Sequence, residues 1–189
     1  MGIGLIELTA PSVEPVTLAE VKLHSRIGIN DDDALLAVYI TSARQLAEQK
    51  TGRSLAPRTL VRYYDEFPDS IELLKGPITS IDFLKYINEA GVLTTLSGAA
   101  YALDATQLSS WIVPAYGYEW PSTLTTPNAV QVQYQVGYSS VTIPASIKAW
   151  ILLMVGTLYE NRESASERPV ADNPFADALL ARYTVSELA

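Results

Sequence analysis

The chain has 189 residues, 48% of them hydrophobic and 18% charged, a composition that folds around a core and does not stay disordered. A net charge of −8 without any Lys/Arg cluster excludes a duplex-gripping surface, because such a surface displaces counterions with clustered basic groups. There is no cysteine, which excludes disulfides, thiolate catalysis and thiolate metal sites.

Residues 1–16 read as an extended arm that includes Pro11 and Pro15. Glu7 and Glu14, with no basic region and no long apolar core, do not make a signal peptide. Thr17 and Glu20 then spell a capping box, flanked by Val16 and Val21 at the positions of a hydrophobic staple. The helix they open is predicted to reach about Arg26 and to stop at Gly28.

Asn30 and Asp31-Asp32-Asp33 start a second helix, with carboxylates placed at the positive end of the helix dipole. Leu35, Leu36, Tyr39, Ala43, Leu46 and Ala47 follow helical spacing, while Thr41, Arg44, Gln45, Glu48 and Gln49 form the opposite, polar face. Gly52 suits the residue that closes this helix.

From Arg58 the period changes to that of strands. Thr59–Phe67 is rich in β-branched and aromatic residues, and Ile71 and Leu73 sit in a short strand. Residues 81–87 alternate, and Asn88-Glu89-Ala90-Gly91 turns the chain into Val92–Leu96. The sharpest strand signal is Val130–Val136, with four apolar residues facing one way and three glutamines the other.

Pro144 restarts a helix whose stripe is Ile147, Ile151, Met154 and Leu158. Its stretch Ala149–Val155 is apolar all round, so it requires cover on every side, from its own chain or from a neighbour. At seven residues this run is far below the roughly 18–20 that cross a bilayer. Asn161–Asn173 is a polar loop, and Pro174 opens a last helix with Phe175, Ala178 and Leu179 on one side.

The expected fold is therefore α+β, a bundle of about four helices with an antiparallel β-subdomain inserted between the second and third. The divisions are 1–57 (arm and helical hairpin), 58–142 (β-subdomain) and 143–189 (C-terminal helices).

Catalytic signatures are sparse. His24 is the only histidine, so no triad or histidine-based metal cluster can be assembled without it, and no G-x-S-x-G, P-loop or H-E-x-x-H motif occurs. Asp31–Asp33 lacks the alternate-position spacing of a calcium loop. Asp65, Glu66 and Asp69 read as the border of a solvated turn. The expectation is no enzyme, no catalytic residue, no metal and no cofactor. The aromatic residues Tyr86, Tyr101, Trp111, Tyr116, Tyr118, Trp120, Tyr134 and Tyr138 admit either β-core packing or a binding face. A face for single-stranded nucleic acid needs a basic groove, and Lys85 is the sole basic residue between Pro77 and Ile143.

The order of elements resembles the head–tail connector (adaptor, head-completion) family of long-tailed phages, prophages and gene-transfer agents. Its opening helices are matched by Val16–Lys22 with His24 and Arg26, then Asp32–Leu36, and by the turn Thr51-Gly52-Arg53-Ser54-Leu55. The β region is matched by Gly76–Ile81, by Val113–Gly117 with Trp120-Pro121, and by Val132–Tyr134 leading to Gly137-Tyr138. The most specific segment is Ile143-Pro144 with Ile147-Lys148 and Leu158–Glu163.

The resemblance implies a structural subunit of a virion or phage-like particle, assembled in the host cytoplasm, with no membrane association. About twelve copies would ring the channel beneath the portal and dock the next head-completion, stopper or tail protein. DNA would pass through without sequence-specific binding. Candidate subunit or portal contacts are Trp150, Leu153, Tyr159, Arg162, Phe175, Leu179 and Tyr183. The alternative is a small carbohydrate- or peptide-binding module with an aromatic β-face.

Overall fold

The computed structural model describes residues 3–105, 109–161 and 174–185. Among them are four α-helices and eight strands, the strands lying in two antiparallel sheets. The chain divides into two compact units, 1–12 with 57–137 and 13–56 with 138–189.

The first unit is the sheet unit. Its strands are β1 (Ile3–Thr9), β2 (Arg58–Tyr64), β3 (Ile71–Leu73), β4 (Ile78–Ile87), β5 (Leu93–Thr95), β6 (Tyr101–Asp104), β7 (Ser110–Pro114) and β8 (Val130–Val136). Five of them form a sheet in the order β1-β2-β8-β4-β5, and three form a second in the order β3-β7-β6. The period-two pattern of β8 is realised: Val130, Val132, Tyr134 and Val136 are buried, and the glutamines between them are not. Register places Tyr64 opposite Val130 and Leu60 opposite Tyr134, so β2 adds its apolar residues to the same face. Ile71, Leu73 and Ile112 of the small sheet join that core. At the β4–β5 hairpin, Asn88 Oδ1 accepts from the amides of Ala90 (3.1 Å) and Val92 (2.9 Å), an Asx arrangement that turns the chain.

Residues 3–9 correct the sequence reading. They are not part of an arm that travels with the helices but the edge strand of the large sheet, paired along β2. Their partner strand begins about fifty residues later, so no local signal announces the pairing.

The second unit holds α1 (Leu18–Ser25), α2 (Asp33–Thr51), α3 (Ala145–Glu160) and α4 (Pro174–Ala181). Leu36, Ile40, Ala47, Ile147, Trp150 and Leu180 are among the residues of its single core. The capping box at α1 is complete: Thr17 Oγ1 accepts from the Glu20 amide at 3.2 Å, and Glu20 Oε2 accepts from the Thr17 amide at 2.8 Å. Val16 and Val21, the staple pair, are both buried. The helix ends about where expected, at Ser25, but its cap is Arg26 in the left-handed conformation (φ 55°) and not Gly28. Gly52 closes α2 as anticipated, at φ +70°, where a side chain would be strained.

The acidic run before α2 works between helices instead of capping one. Asp32 makes no side-chain capping bond and accepts from the Tyr159 hydroxyl of α3 at 2.7 Å. Asp33 pairs with Lys22 of α1 at 2.7 Å. Lys148 of α3 reaches Glu20 of α1 at 2.6 Å, and Lys50 of α2 reaches Asp177 of α4 at 2.9 Å. Each helix of the unit is thus tied to another by at least one charged or hydroxyl contact.

Glu20 carries a pH dependence. The hydrogen bond from Lys148, followed by that from the Thr17 amide, holds its carboxyl at about 2 against an ordinary 4.5. A carboxylate whose folded pKa is depressed stabilises fully above its unfolded pKa and loses that contribution as pH falls toward the folded one. Glu20→Gln is therefore expected to lower the unfolding midpoint at pH 7. Thermal melts at intervals from pH 7 to pH 2 should show the gap between wild type and variant narrowing as pH falls below about 4.5 and nearly closed at about pH 2. A constant offset across that range would contradict the assignment.

Candidate functional site

Among the described residues, reactive groups are not brought together. His24 lies exposed on α1, and among the described residues no group of three His, Cys, Asp or Glu side chains could hold a metal ion. Asp65 Oδ1 accepts from the Asn128 amide at 3.0 Å, bracing the turn before β8. Asp65 and Glu66 also border an open recess of about 520 Å³, completed by Thr123, Thr125, Thr126 and Pro127. That lining has acceptors and hydroxyls but no base–nucleophile pair oriented by a third group.

The aromatic residues mostly support the sheet unit and do not share one face. Tyr134 is fully buried, its hydroxyl donating to the Leu74 carbonyl at 3.2 Å, and burial raises its pKa. Tyr64 donates to the Glu72 carbonyl at 3.0 Å and is pushed up to about 12 by burial. Phe67 stacks on Trp120 at 4.8 Å and meets Tyr86 at 5.7 Å. Tyr138 packs on the helical core instead. Only Tyr116 and Tyr118, of the aromatics named from sequence, are exposed.

The expected contact residues separate into three groups. Trp150 is 0% exposed and donates from Nε1 to Asp177 Oδ1 at 3.3 Å, so it belongs to the core and offers no surface to a neighbour. Tyr159, Leu179 and Tyr183 are half-buried against that core. The Tyr183 carbonyl accepts from Arg53 Nε at 2.7 Å. Leu153 and Phe175 are exposed, Phe175 to 76%. The inward face of α4 is Ala176 and Leu180, not Phe175 and Ala178. Arg162 lies outside the described residues.

Sequence reasoning missed the burial of three arginines, Arg44, Arg53 and Arg62. Arg44, assigned to the polar face of α2, is 5% exposed and grips Glu14 (2.7 Å) and Glu48 (2.9 Å). Arg62 lies on the apolar side of β2 and donates to the Glu72 carbonyl across to β3. A basic residue within an otherwise apolar strand such as Leu60-Val61-Arg62 is the signal that could have found it.

Ion pairing also settles much of the electrostatics. Lys22, Lys50, Lys148, Arg44, Arg58 and Arg62 are each paired with a carboxylate of this chain. Six of the thirteen basic residues are thus neutralised within the chain and are not available to follow a phosphate backbone. No helix among the described residues is long and apolar enough to cross a membrane.

Residues 15–95, from the approach to α1 through β5, match the family of phage gp6-like head-tail connector proteins. No curated protein sequence matches the chain. In solved structures, a chain of the "Virion of native gene transfer agent (GTA) particle" superposes with a TM-score of 0.79 and 24% identity, over 98% of this chain and 97% of that one. A chain of the "Neck of empty GTA particle computed with C6 symmetry" gives 0.78 at 22% identity, and one of the "Neck of native GTA particle computed with C12 symmetry" gives 0.76 at 23%. Each of those alignments likewise covers 98% of this chain and 97% of the other. None of these descriptions is of an enzyme. By sequence over residues 15–95 and by fold over nearly its whole length, the chain is similar to head–tail connector proteins of phages and to chains of gene transfer agent particles.

Proposed function

We propose that this chain is a structural head–tail connector subunit of a phage or phage-derived particle, and that copies of it form a ring beneath the portal. The ring extends the DNA channel and docks the next head-completion or tail protein. The observation that carries this reading is the fold likeness across 98% of the chain to neck structures computed with C6 and C12 symmetry. In this reading residues 57–137 are an insertion between α2 and α3, joined by the N-terminal strand β1, and α3 and α4 complete the helical core that α1 and α2 begin.

Three physical points support it. A net charge of −8 per subunit, with several basic groups held in internal pairs, suits a conduit that must not retain its cargo. A cyclic ring requires two unlike contact faces on each subunit. Leu153 and Phe175 on the helical unit offer exposed apolar groups for one such contact. Ring contacts that are individually weak are sufficient once a portal template raises the effective concentration of neighbours.

The expected behaviour is a monomer in dilute solution that binds cooperatively to purified portal. Sedimentation velocity of the chain alone and with portal measures this. A tight twofold dimer, or free chain that ignores portal, would contradict it.

A further inference from the structure

Strand edges are where a sheet can take another chain, because each carries N–H and C=O groups that no neighbour uses. Most edges of the sheet unit are guarded. β5, at one side of the large sheet, is three residues long. β3, an edge of the small sheet, is also three residues, and side chains cap it. Arg62 and Tyr64 both donate to the Glu72 carbonyl, and Tyr134 donates to the Leu74 carbonyl just beyond. β6, the other edge of the small sheet, is four residues and ends on the charged Asp104.

β1 is the exception. It spans seven residues and holds no lysine or proline. Its ladder runs to β2 alone, in unbroken register from Ile3 to Glu7, with a shift only between Glu7 and Thr9. Antiparallel alternation leaves about half of these residues with N–H and C=O pointing away from β2. Among the described residues no other strand or side chain pairs with them.

The side chains are equally uncovered. Leu5 stands beside Arg62 on one face, Ile6 stands beside Val61 on the other, and all of Leu5, Ile6 and Leu8 are exposed. An antiparallel sheet with one wet side alternates apolar and polar residues, whereas β1 exposes apolar side chains on both. A strand laid alongside covers both faces at once, which a partner packed on one face does not.

The chemistry also selects the occupant. A row of bare backbone groups is matched by the backbone of an extended segment. Consecutive apolar residues on that segment would meet Leu5 and Ile6 on the two faces. The Glu7 side chain, paired with Arg58 at 3.0 Å, keeps 41% of its exposure and is open to a Lys or Arg opposite it. A net charge of −8 repels an acidic segment, and it repels a second copy of this chain. We propose that β1 is a strand-addition site, and that an extended, apolar and basic segment of a different protein pairs along Ile3–Glu7. This goes beyond the ring reading and does not depend on it.

The full chain would be titrated with the end-blocked peptide Lys-Thr-Val-Ile-Val-Thr-Lys while amide exchange is followed residue by residue. Exchange within Ile3–Glu7 is expected to slow by about tenfold at saturation, with β5 unchanged. No slowing at millimolar peptide would overturn the proposal. The same peptide N-methylated throughout has lost its donors and should give no protection; protection by it would overturn strand addition in favour of side-chain contact. A Glu-flanked version should bind about tenfold more weakly at low salt, and equal affinity would overturn the basic partner. Ile6→Lys, which places a guarding charge at an exposed position, is expected to abolish the protection while leaving the melting temperature close to wild type. Sedimentation without peptide supplies the last arm. Wild-type dimers that Ile6→Lys dissolves would give the edge to a second copy and overturn the foreign partner. None of these outcomes decides whether the chain enters a ring on portal, so the two readings fail separately.

Discussion

Arg44→Ala is expected to destabilise the helical unit by about 3 kcal/mol, toward the lower end of the cost of breaking a buried ion pair. The guanidinium is 5% exposed and divides its donors between two carboxylates. Nε meets Glu14 Oε2 at 2.7 Å, and Nη1 meets Glu48 Oε2 at 2.9 Å. Removing it leaves two partly buried negative groups facing a void. Their remaining donors, Thr41 Oγ1 to Glu14 (2.9 Å) and the Leu55 amide to Glu48 (2.8 Å), are neutral and cannot balance the charge. The lower end applies because the Glu14 side chain keeps 29% of its exposure. Urea unfolding followed by far-UV circular dichroism would measure the loss. Adding Glu14→Gln and Glu48→Gln to Arg44→Met should recover most of it, since the buried charges then disappear together. Equal stability of Arg44→Ala and wild type would show that the cluster contributes nothing.

Trp150→Ala carries the other large effect, about 3–5 kcal/mol, from lost burial and from the cavity left behind. The indole is fully enclosed in the core that α2, α3 and α4 share, and its Nε1–H reaches Asp177 of α4. Asp177 is held below the usual carboxylate range first by the Lys50 hydrogen bond and then by that of Trp150, so one anchor of α4 survives the substitution. Loss of α4 docking should therefore precede global unfolding, and amide exchange in Ala176–Leu180 should accelerate before that in α2. Trp150→Phe keeps most of the volume and is expected to cost far less. Leu153→Ala, one turn away at a surface position, should stay within about 1 kcal/mol of wild type. The contrast between Trp150 and Leu153 separates a core position from a surface one inside a stretch where every residue is apolar.

That stretch illustrates what sequence can and cannot resolve. In Ala149–Val155 the hydrophobic pattern has no polar phase, so periodicity alone could not decide that Trp150 and Ile151 point inward while Leu153 does not. Where the signal was local, the reading held: the Thr17–Glu20 box, Gly52 at the end of α2, the Asn88 turn and the alternation of β8 are all settled within a few residues. Where partners are distant, it did not. Glu14 is thirty residues from Arg44, and the Asp32–Tyr159 contact spans 127. The edge strand β1 looked like an arm because its pairing partner lies beyond two helices. Strands β6 and β7 are short, and neither alternates with enough contrast to stand out. Which aromatics reach the surface was less legible still, because an exposed tyrosine and a buried one read alike in sequence; Tyr116 and Tyr134 are separated only by the turn and the sheet that hold them.

The proposed role is that of a ring of like subunits on the channel axis, not of a lone binding module or an enzyme. It is tested most directly by electron cryomicroscopy of the neck of particles that carry this chain. Density for the chain is expected to repeat around the channel with the twelvefold order of the C12 neck, directly beneath the portal. A neck in which the chain is absent, or sits as isolated copies away from the channel axis, would contradict it.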